Sequence, residues 1–264
     1  MGFQSGLVLL ILLGASLLSC SDSTSGSSDG RFVACTDAAT GLPDGTVSDR
    51  ETGLLWEQKT GTFDLGPGGN VFCSPQTPCP DPHDVNNLYQ WSSTVVGGIY
   101  QRDGSAFTDF LVKLNTAPGF SGHTPWRLPE LSELQSILIG AGVLFDEAAL
   151  GGIPADPTAG TNPTGQATTC NAVEPCADPA FAAVGGPIAP SYYWSNVTAV
   201  DVERRIAVGT PFEQTILVPR PDQAYVAFFS IGRVNVGQKQ QLTGLQFPQL
   251  DAFVRAVRTG DCSS

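Results

Sequence analysis

The residues with the most definite chemistry are seven cysteines, an odd number in a chain of 264 residues. In an exported chain an even set of thiols pairs as disulfides, which leaves one cysteine for another use. Two local pairs repeat the pattern C-x4-P-C-x-D-P, so each predicts a small ring around a proline turn. The remaining pair would then join the two ends of the domain. The predicted partners are Cys73 with Cys79, Cys170 with Cys176, and Cys35 with Cys262.

Zinc binding is the competing interpretation of these thiols. Tetrahedral zinc sites favour two to four residues between paired cysteines and usually include histidine. Each local pair here has five residues between its cysteines, and His83 and His123 are the only histidines. The spacing therefore favours disulfides over a metal site.

The seventh cysteine, Cys20, follows an apolar run over residues 7–18 that is too short to span a bilayer, which takes about 18–20 residues. A Ser/Gly/Asp segment follows it, so the pattern predicts a signal peptide over residues 1–19. Cysteine directly after the cut resembles the lipobox of bacterial lipoproteins, which implies that Cys20 is diacylated. Residues 20–31 then form a flexible tether, and the position of Asp22 favours the outer membrane or cell surface. A plain signal peptide with an incidental cysteine is the alternative.

Charge narrows the range of partners. The chain carries 13 Lys and Arg against 25 Asp and Glu, a net charge of −12, which disfavours nucleic acid and anionic lipid surfaces. Basic residues concentrate in the last quarter, where residues 201–264 hold seven basic and six acidic side chains. A solvated strand face is the plain interpretation of this concentration, and an anion-binding patch is the functional one. The residues concerned are Arg204, Arg205, Arg220 and Arg233.

The predicted helices and strands suggest a single α+β domain over residues 32–262, with helices early and strands late. An apolar stripe at 107, 110, 111 and 114 predicts a helix with Ser105 as its cap. A second helix is predicted to begin near Pro129, with Leu131, Leu134 and Leu138 on its buried face. Two long loops, roughly 60–104 and 146–190, contain the local cysteine rings. Strands are predicted around a turn in 46–56 and over 192–197, 224–230, 233–236 and 252–257.

A series of motifs resembles the Lcl C-terminal domain family, bacterial exported proteins that are mostly uncharacterised. The resemblance runs from about residue 45 to 258, and the combination of motifs is more specific than any one of them. It implies a C-type-lectin-like domain, related in fold to formylglycine-generating enzymes, whose first and last strands pair. That pairing also suits a Cys35–Cys262 bridge. The motifs are TGLLW at 52–56, FLVKLN at 110–115, WRLPELSEL at 126–134, YWS at 193–195, AYVAF at 224–228, GQK at 237–239 and VRAVR at 254–258.

Most motif residues have a structural interpretation. The tryptophans of these motifs, Trp56, Trp126 and Trp194, are predicted to fill the core. Arg127 is predicted to pair with a buried carboxylate or to cap carbonyls, and Lys239 to lie at the surface or beside an acid. Arg255 and Arg258 are predicted to point to opposite faces of a strand.

Catalysis and metal binding find little support in the residue patterns. Motifs such as H-E-x-x-H or a P-loop are absent, and formylglycine-generating enzymes need a reactive cysteine pair near the end of the chain, where only Cys262 lies. We therefore predict no enzyme and no cofactor. Calcium is a possible exception, since Asp81, Asp84, Asn86 and Asn87 cluster oxygen ligands in one loop. The predicted function is a lipid-anchored envelope module that binds a glycan or surface protein, with a non-binding scaffold as the alternative.

Overall fold

Antiparallel strands form the frame of the chain, which the computed structural model describes over residues 30–63, 72–139, 174–206, 213–240 and 251–263. They make a four-stranded sheet, a three-stranded sheet and a short hairpin. The α+β class predicted from the sequence is confirmed. The strands are β1 (Phe32–Thr36), β2 (Pro43–Asp49), β3 (Leu54–Glu57), β4 (Val95–Val96), β5 (Ile99–Tyr100), β6 (Tyr192–Ile206), β7 (Glu213–Phe228), β8 (Arg233–Gln238) and β9 (Val257–Thr259).

The four-stranded sheet has the order β1-β2-β3-β9. All four residues of β3 are buried, and Trp56 pairs with Val47 on one side and with Val257 on the other. Gly53 closes the β2–β3 turn with φ of 68°, in agreement with the predicted turn. The implied pairing of the first and last strands is wrong, because β9 pairs with β3 and not with β1. The predicted strand over 252–257 is also wrong in its bounds, since β9 begins only at Val257.

The three-stranded sheet has the order β6-β7-β8. Strands β6 and β7 extend well beyond the predicted 192–197 and 224–230 because they continue as a long two-stranded ribbon past the third strand. Phe253 bridges the two sheets, since it pairs with Tyr193 and precedes β9 by four residues. The segment after residue 250 therefore holds the sheets together.

The helices are short, as the high content of glycine and proline predicts. Three lie among the described residues, not the two predicted, because Asp178 caps a further helix whose first residue is proline, inside the predicted 146–190 loop. Ser105 does not cap the first helix, since its hydroxyl accepts instead from the backbone N–H of Gln90, at 2.9 Å. That helix opens with a π-helical turn, Ala106–Phe110. The α-helices are α1 (Leu111–Asn115), α2 (Leu131–Ser136) and α3 (Pro179–Val184).

Tryptophan fills the core. Trp56, Trp126 and Trp194 are 0–2% exposed, which confirms their predicted role, and Trp91 is also buried. Trp194 and Trp91 both donate their indole N–H to backbone carbonyls, those of Tyr89 and Ser195. The buried rings thus fix the 89–91 segment against β6.

Disulfide bonds join Cys35 to Cys262 and Cys73 to Cys79, the pairs predicted from spacing. Cys176 is also disulfide-bonded, while its predicted partner Cys170 lies outside the described residues. The same holds for the predicted signal peptide (1–19) and for Cys20 with nearly all of its tether. Within the described ranges the structure has no helix that is long and apolar enough to cross a membrane.

Candidate functional site

The densest group of charges in the described structure is an ionic centre around Glu57, which is fully buried at the end of β3. One carboxylate oxygen lies 2.8 Å from both Lys59 Nζ and His83 Nδ1, and the other accepts the backbone N–H of Ala256 at 2.8 Å. Burial alone raises the pKa of Glu57, but Lys59 and His83 outweigh it and hold that pKa below its usual value. Glu57 is therefore ionised inside the core.

Arg255 completes the ionic centre from the opposite chain end. It is 1% exposed, and its guanidinium donates to the carbonyls of Glu57 at 2.8 Å, Gly185 at 2.7 Å and Pro187 at 3.1 Å. Gly186 is required beside it, since a side chain there would meet the Lys59 carbonyl at 2.1 Å. The centre ties β3, the 185–187 turn and the final segment together, so its chemistry supports the fold.

Arg127 behaves as predicted. Its guanidinium makes a bidentate pair with Glu133, with distances of 2.7 and 2.6 Å. Glu133 also accepts from the Glu130 backbone N–H at 2.7 Å and so completes a capping box at the start of α2. A shallow cavity of about 230 Å³ lies beside Glu133 and is lined also by Thr52, Leu54, Ser132 and Ser136. The RLPELSE motif is thus a helix start.

The acidic loop at 81–87 uses its oxygens internally. Asp81 accepts from Thr60 Oγ1 at 2.6 Å and from the His83 backbone N–H at 2.9 Å. Asp84 accepts from the backbone and side-chain N–H groups of Asn86, at 2.8 and 2.9 Å, while Asn87 Oδ1 accepts from the Cys79 N–H at 2.8 Å. The contacts of His83 with Asp81 and of Asn86 with Asp84 are turn hydrogen bonds, while Thr60 and Cys79 donate to the loop from outside it. In the described part of the chain no three acidic, histidine or cysteine side chains come together as a metal site would require, and calcium gains no support.

Lys239 departs from its prediction, because it is buried at 2% exposure and its ammonium has a hydroxyl partner. Nζ lies 2.7 Å from Thr198 Oγ1 and 4.1 Å from the centroid of the Trp91 ring. Burial lowers the pKa of Lys239 to about 8, and Arg102 adds to this while Asp222 opposes it. No local pattern predicts this environment of Lys239, since Trp91 and Thr198 are distant from it in the chain.

A surface group that the sequence did not identify lies across β6, β7 and β8. Tyr192 pairs with Phe228, and Phe228 pairs with Arg233, so the three side chains share one face of the sheet. The two rings stack with centroids 4.3 Å apart and planes at 18°, and both stay partly exposed. Two residues after Phe228, Ser230 donates to exposed Glu174 at 2.7 Å. We call these five residues the sheet platform.

Arg233 is the cation of the sheet platform. It is partly exposed, forms no ion pair among the described residues, and its Nε is buried without a hydrogen-bond partner there. The platform adjoins the 146–190 loop, because the Cys176 N–H donates to the Phe229 carbonyl at 2.6 Å. Of the predicted basic group, Arg220 is exposed on β7, while the side chains of Arg204 and Arg205 lie outside the described part.

Comparison with known proteins identifies the family. The model of the Lcl C-terminal domain matches residues 45–258, which is most of the chain, so the chain belongs to that family. None of the curated proteins matches it significantly, and neither does any solved structure.

Proposed function

We propose that this member of the Lcl C-terminal domain family is an envelope-displayed lipoprotein whose C-type-lectin-like domain binds a carbohydrate at the sheet platform. The observation that carries the proposal is the stacked, partly exposed pair Tyr192–Phe228 beside the partly exposed Arg233, which shares their face of the sheet. Cys20 carries the lipid, and the tether of residues 20–31 holds the domain at the envelope.

Sugar chemistry suits the platform. A pyranose ring has an apolar C–H face that packs on aromatic rings, and a rim of hydroxyls that hydrogen-bond to charged side chains. The platform offers two rings, a guanidinium donor, and a carboxylate acceptor in Glu174. A free carboxylate on the sugar would add an ion pair with Arg233, and Glu174 disfavours densely sulfated chains by charge repulsion.

The experiment is a glycan array and an envelope-polysaccharide binding assay with the full processed chain. We expect selective binding that is lost in Arg233→Met and reduced on shortening the 146–190 loop. Arg220→Met, on β7 of the same sheet, is the matched control and should bind as the parent does. Equal binding by the Arg233 and Arg220 variants would refute the platform as the site.

A protein scaffold of the envelope is the second candidate. It is favoured by the roles of the family motif residues, because Trp126 and Trp194 are buried and Arg127 is paired with Glu133. If the protein is a scaffold, it binds no glycan, and its deletion weakens the envelope of the cell. Detection of platform-dependent glycan binding would decide against it.

Display at the envelope has its own test. Replacement of Cys20 by Ser should abolish lipid attachment and release the chain from the membrane fraction. Unchanged processing and membrane association in Cys20→Ser would remove the anchor from the proposal and leave carbohydrate binding to be judged separately.

A further inference from the structure

The β4–β5 hairpin is the most apolar exposed feature of the described surface. Of the six large apolar side chains that are strongly exposed there, three belong to this hairpin: Val95 at 44%, Val96 at 63% and Ile99 at 62%. Exposed aliphatic groups that cluster in this way mark an interaction surface.

The hairpin is apolar on both of its faces. Val96 pairs with Ile99, and Val95 pairs with Tyr100, so the two pairs point to opposite sides of the two-stranded ribbon. Residues 92–101 contain no charged side chain, in a chain with net charge −12. A flat protein partner would cover one face only, whereas an apolar medium that surrounds the tip covers both.

The hairpin is also firmly built. Gly97 and Gly98 have φ of 60° and 81°, as a two-residue turn between twisted strands requires. At its base the Asp103 carboxylate accepts from the backbone N–H groups of Ser93 and Thr94, at 2.7 and 3.1 Å, and from the Thr94 hydroxyl. The apolar tip is therefore presented in one conformation and loses little entropy when it is buried.

A cation marks the base of the hairpin. The exposed Arg102 donates to the Asn196 carbonyl at 2.9 Å and lies 5.8 Å from the Trp91 centroid. This contact holds the guanidinium one residue beyond the charge-free stretch. An apolar tip with a cation at its base matches the order of acyl chains and phosphates in a lipid leaflet.

We propose that the β4–β5 hairpin inserts into the lipid leaflet as a second membrane contact of the domain. The two pairs Val95–Tyr100 and Val96–Ile99 enter the boundary between headgroups and acyl chains, and Arg102 meets a lipid phosphate. Insertion is shallow, since the unpaired backbone groups of a two-stranded hairpin cannot enter the hydrocarbon core without partners. Zwitterionic lipid is the favoured surface because the body of the protein is acidic.

The tether makes this contact effective. Residues 21–31 span at most about 40 Å when fully extended, since each residue contributes about 3.6 Å. A lipid on Cys20 would therefore hold the start of the domain within that distance of the bilayer, which raises the effective concentration of the hairpin at the membrane, so that even a weak contact is populated. In this respect the inference rests on the anchor proposed above, although insertion of the hairpin itself does not require it.

The experiment measures hydrogen exchange of the backbone amides of residues 93–101 in the full processed chain, bound to vesicles of phosphatidylcholine and phosphatidylethanolamine. Ile99→Asp is the test variant. Leu42→Asp, at an equally exposed aliphatic residue (64%), is the matched control. In vesicles, the amides of residues 93–101 should exchange about tenfold more slowly in the parent and in Leu42→Asp than in Ile99→Asp. The reason is that the aspartate loses the favourable free energy of moving an aliphatic side chain out of water.

The Cys20→Ser forms of all three chains, in vesicle-free buffer, supply the reference and should exchange alike. Absence of protection in vesicles, or equal protection in Ile99→Asp, overturns the proposal. Protection that rises with protein concentration in vesicle-free buffer also overturns it, in favour of a second copy as the occupant. Retention of the double variant Cys20→Ser/Ile99→Asp on membranes, with neither proposed contact intact, would remove the proposed anchor alone, and the Ile99 and Leu42 variants would still decide the hairpin.

Discussion

The sheet platform and the β4–β5 hairpin are two partly exposed surfaces of opposite chemical character. The platform combines stacked rings with Arg233 and Glu174, while the hairpin presents Val96 and Ile99 with no charge over residues 92–101. Directional hydrogen-bonding groups distinguish one ligand from another, whereas aliphatic groups distinguish only an apolar medium from water. The difference indicates that the platform suits a specific soluble ligand and the hairpin suits a lipid surface.

The largest effect on stability is expected at the ionic centre, which ties β3, the 185–187 turn and the final segment of the chain together. Glu57→Gln should lower the free energy of unfolding by about 3–5 kcal/mol, because it leaves Lys59 buried without a counter-charge. Chemical denaturation measures this, with Glu51→Gln as the control, since the Glu51 side chain is 71% exposed. Glycan binding and vesicle contact should fall together with stability. If glycan binding were lost while vesicle contact stayed intact, or the reverse, the ionic centre would belong to only one of the two surfaces.

The ionic centre also gives a pH dependence. The pKa of Glu57 is depressed in the folded state, so its contribution is present above the unfolded-state value, about 4.3, and is lost as pH falls through the folded pKa. Stability of the parent should fall in that acidic range more steeply than stability of Glu57→Gln. Parallel curves of unfolding free energy against pH for the two chains would contradict this account.

The next effect separates the two surfaces. Arg233→Met should weaken carbohydrate binding by about tenfold or more, as expected for loss of a hydrogen bond from a charged donor. The same variant should leave the hairpin's vesicle protection unchanged, and Ile99→Asp should leave the glycan affinity unchanged. Titration calorimetry and hydrogen exchange on both variants measure the two quantities. An effect of either variant on both quantities would mean that the surfaces act as one.

Lys239 connects the hairpin base to the three-stranded sheet, and a smaller effect is expected there. Its folded pKa of about 8 lies below the unfolded value near 10.4, so the folded state binds fewer protons in between and stability should rise with pH from about 8 to 10. The gain should be roughly 2 kcal/mol and absent in Lys239→Met. Thermal unfolding across this range measures it, with exposed Lys113→Met as the control. A rise of the same size in Lys239→Met would assign it to other groups.

The smallest effect concerns the hairpin alone. Asp103→Asn keeps the size of the side chain but weakens the acceptor that holds Ser93 and Thr94, and should cost about 1 kcal/mol. Faster amide exchange at residues 93–101 should reveal it, with the platform amides unaffected. Asp109→Asn, which touches only an exposed i,i+4 pair with Lys113, is the comparison and should change neither.

Local patterns predicted what depends on neighbours in the sequence. The Cys73–Cys79 ring and the Gly53 turn follow from spacings of six residues or fewer, whereas the prediction for Arg127 was a carboxylate partner or carbonyl groups, without Glu133 being named. Helix α3 also has a local start signal, because Asp178 directly precedes Pro179. The loop-type residues around this pair obscured the signal. The bounds of β6 and β7 could not be predicted from the sequence pattern, because the length of a strand pair depends on the partner strand as much as on the strand propensity of its residues.

Composition and short spacing were sufficient for the α+β class, the buried tryptophans and the Cys73–Cys79 ring, and elimination then left Cys35 to pair with Cys262, 227 residues away. The ionic centre depends on the tertiary structure, because His83 and Arg255 reach Glu57 from 26 and 198 residues away in the chain. The tertiary structure also decided the sheet platform, which exists only in the register that aligns Tyr192, Phe228 and Arg233. A shift of one residue would turn those side chains to the other face, and no local pattern specifies that register.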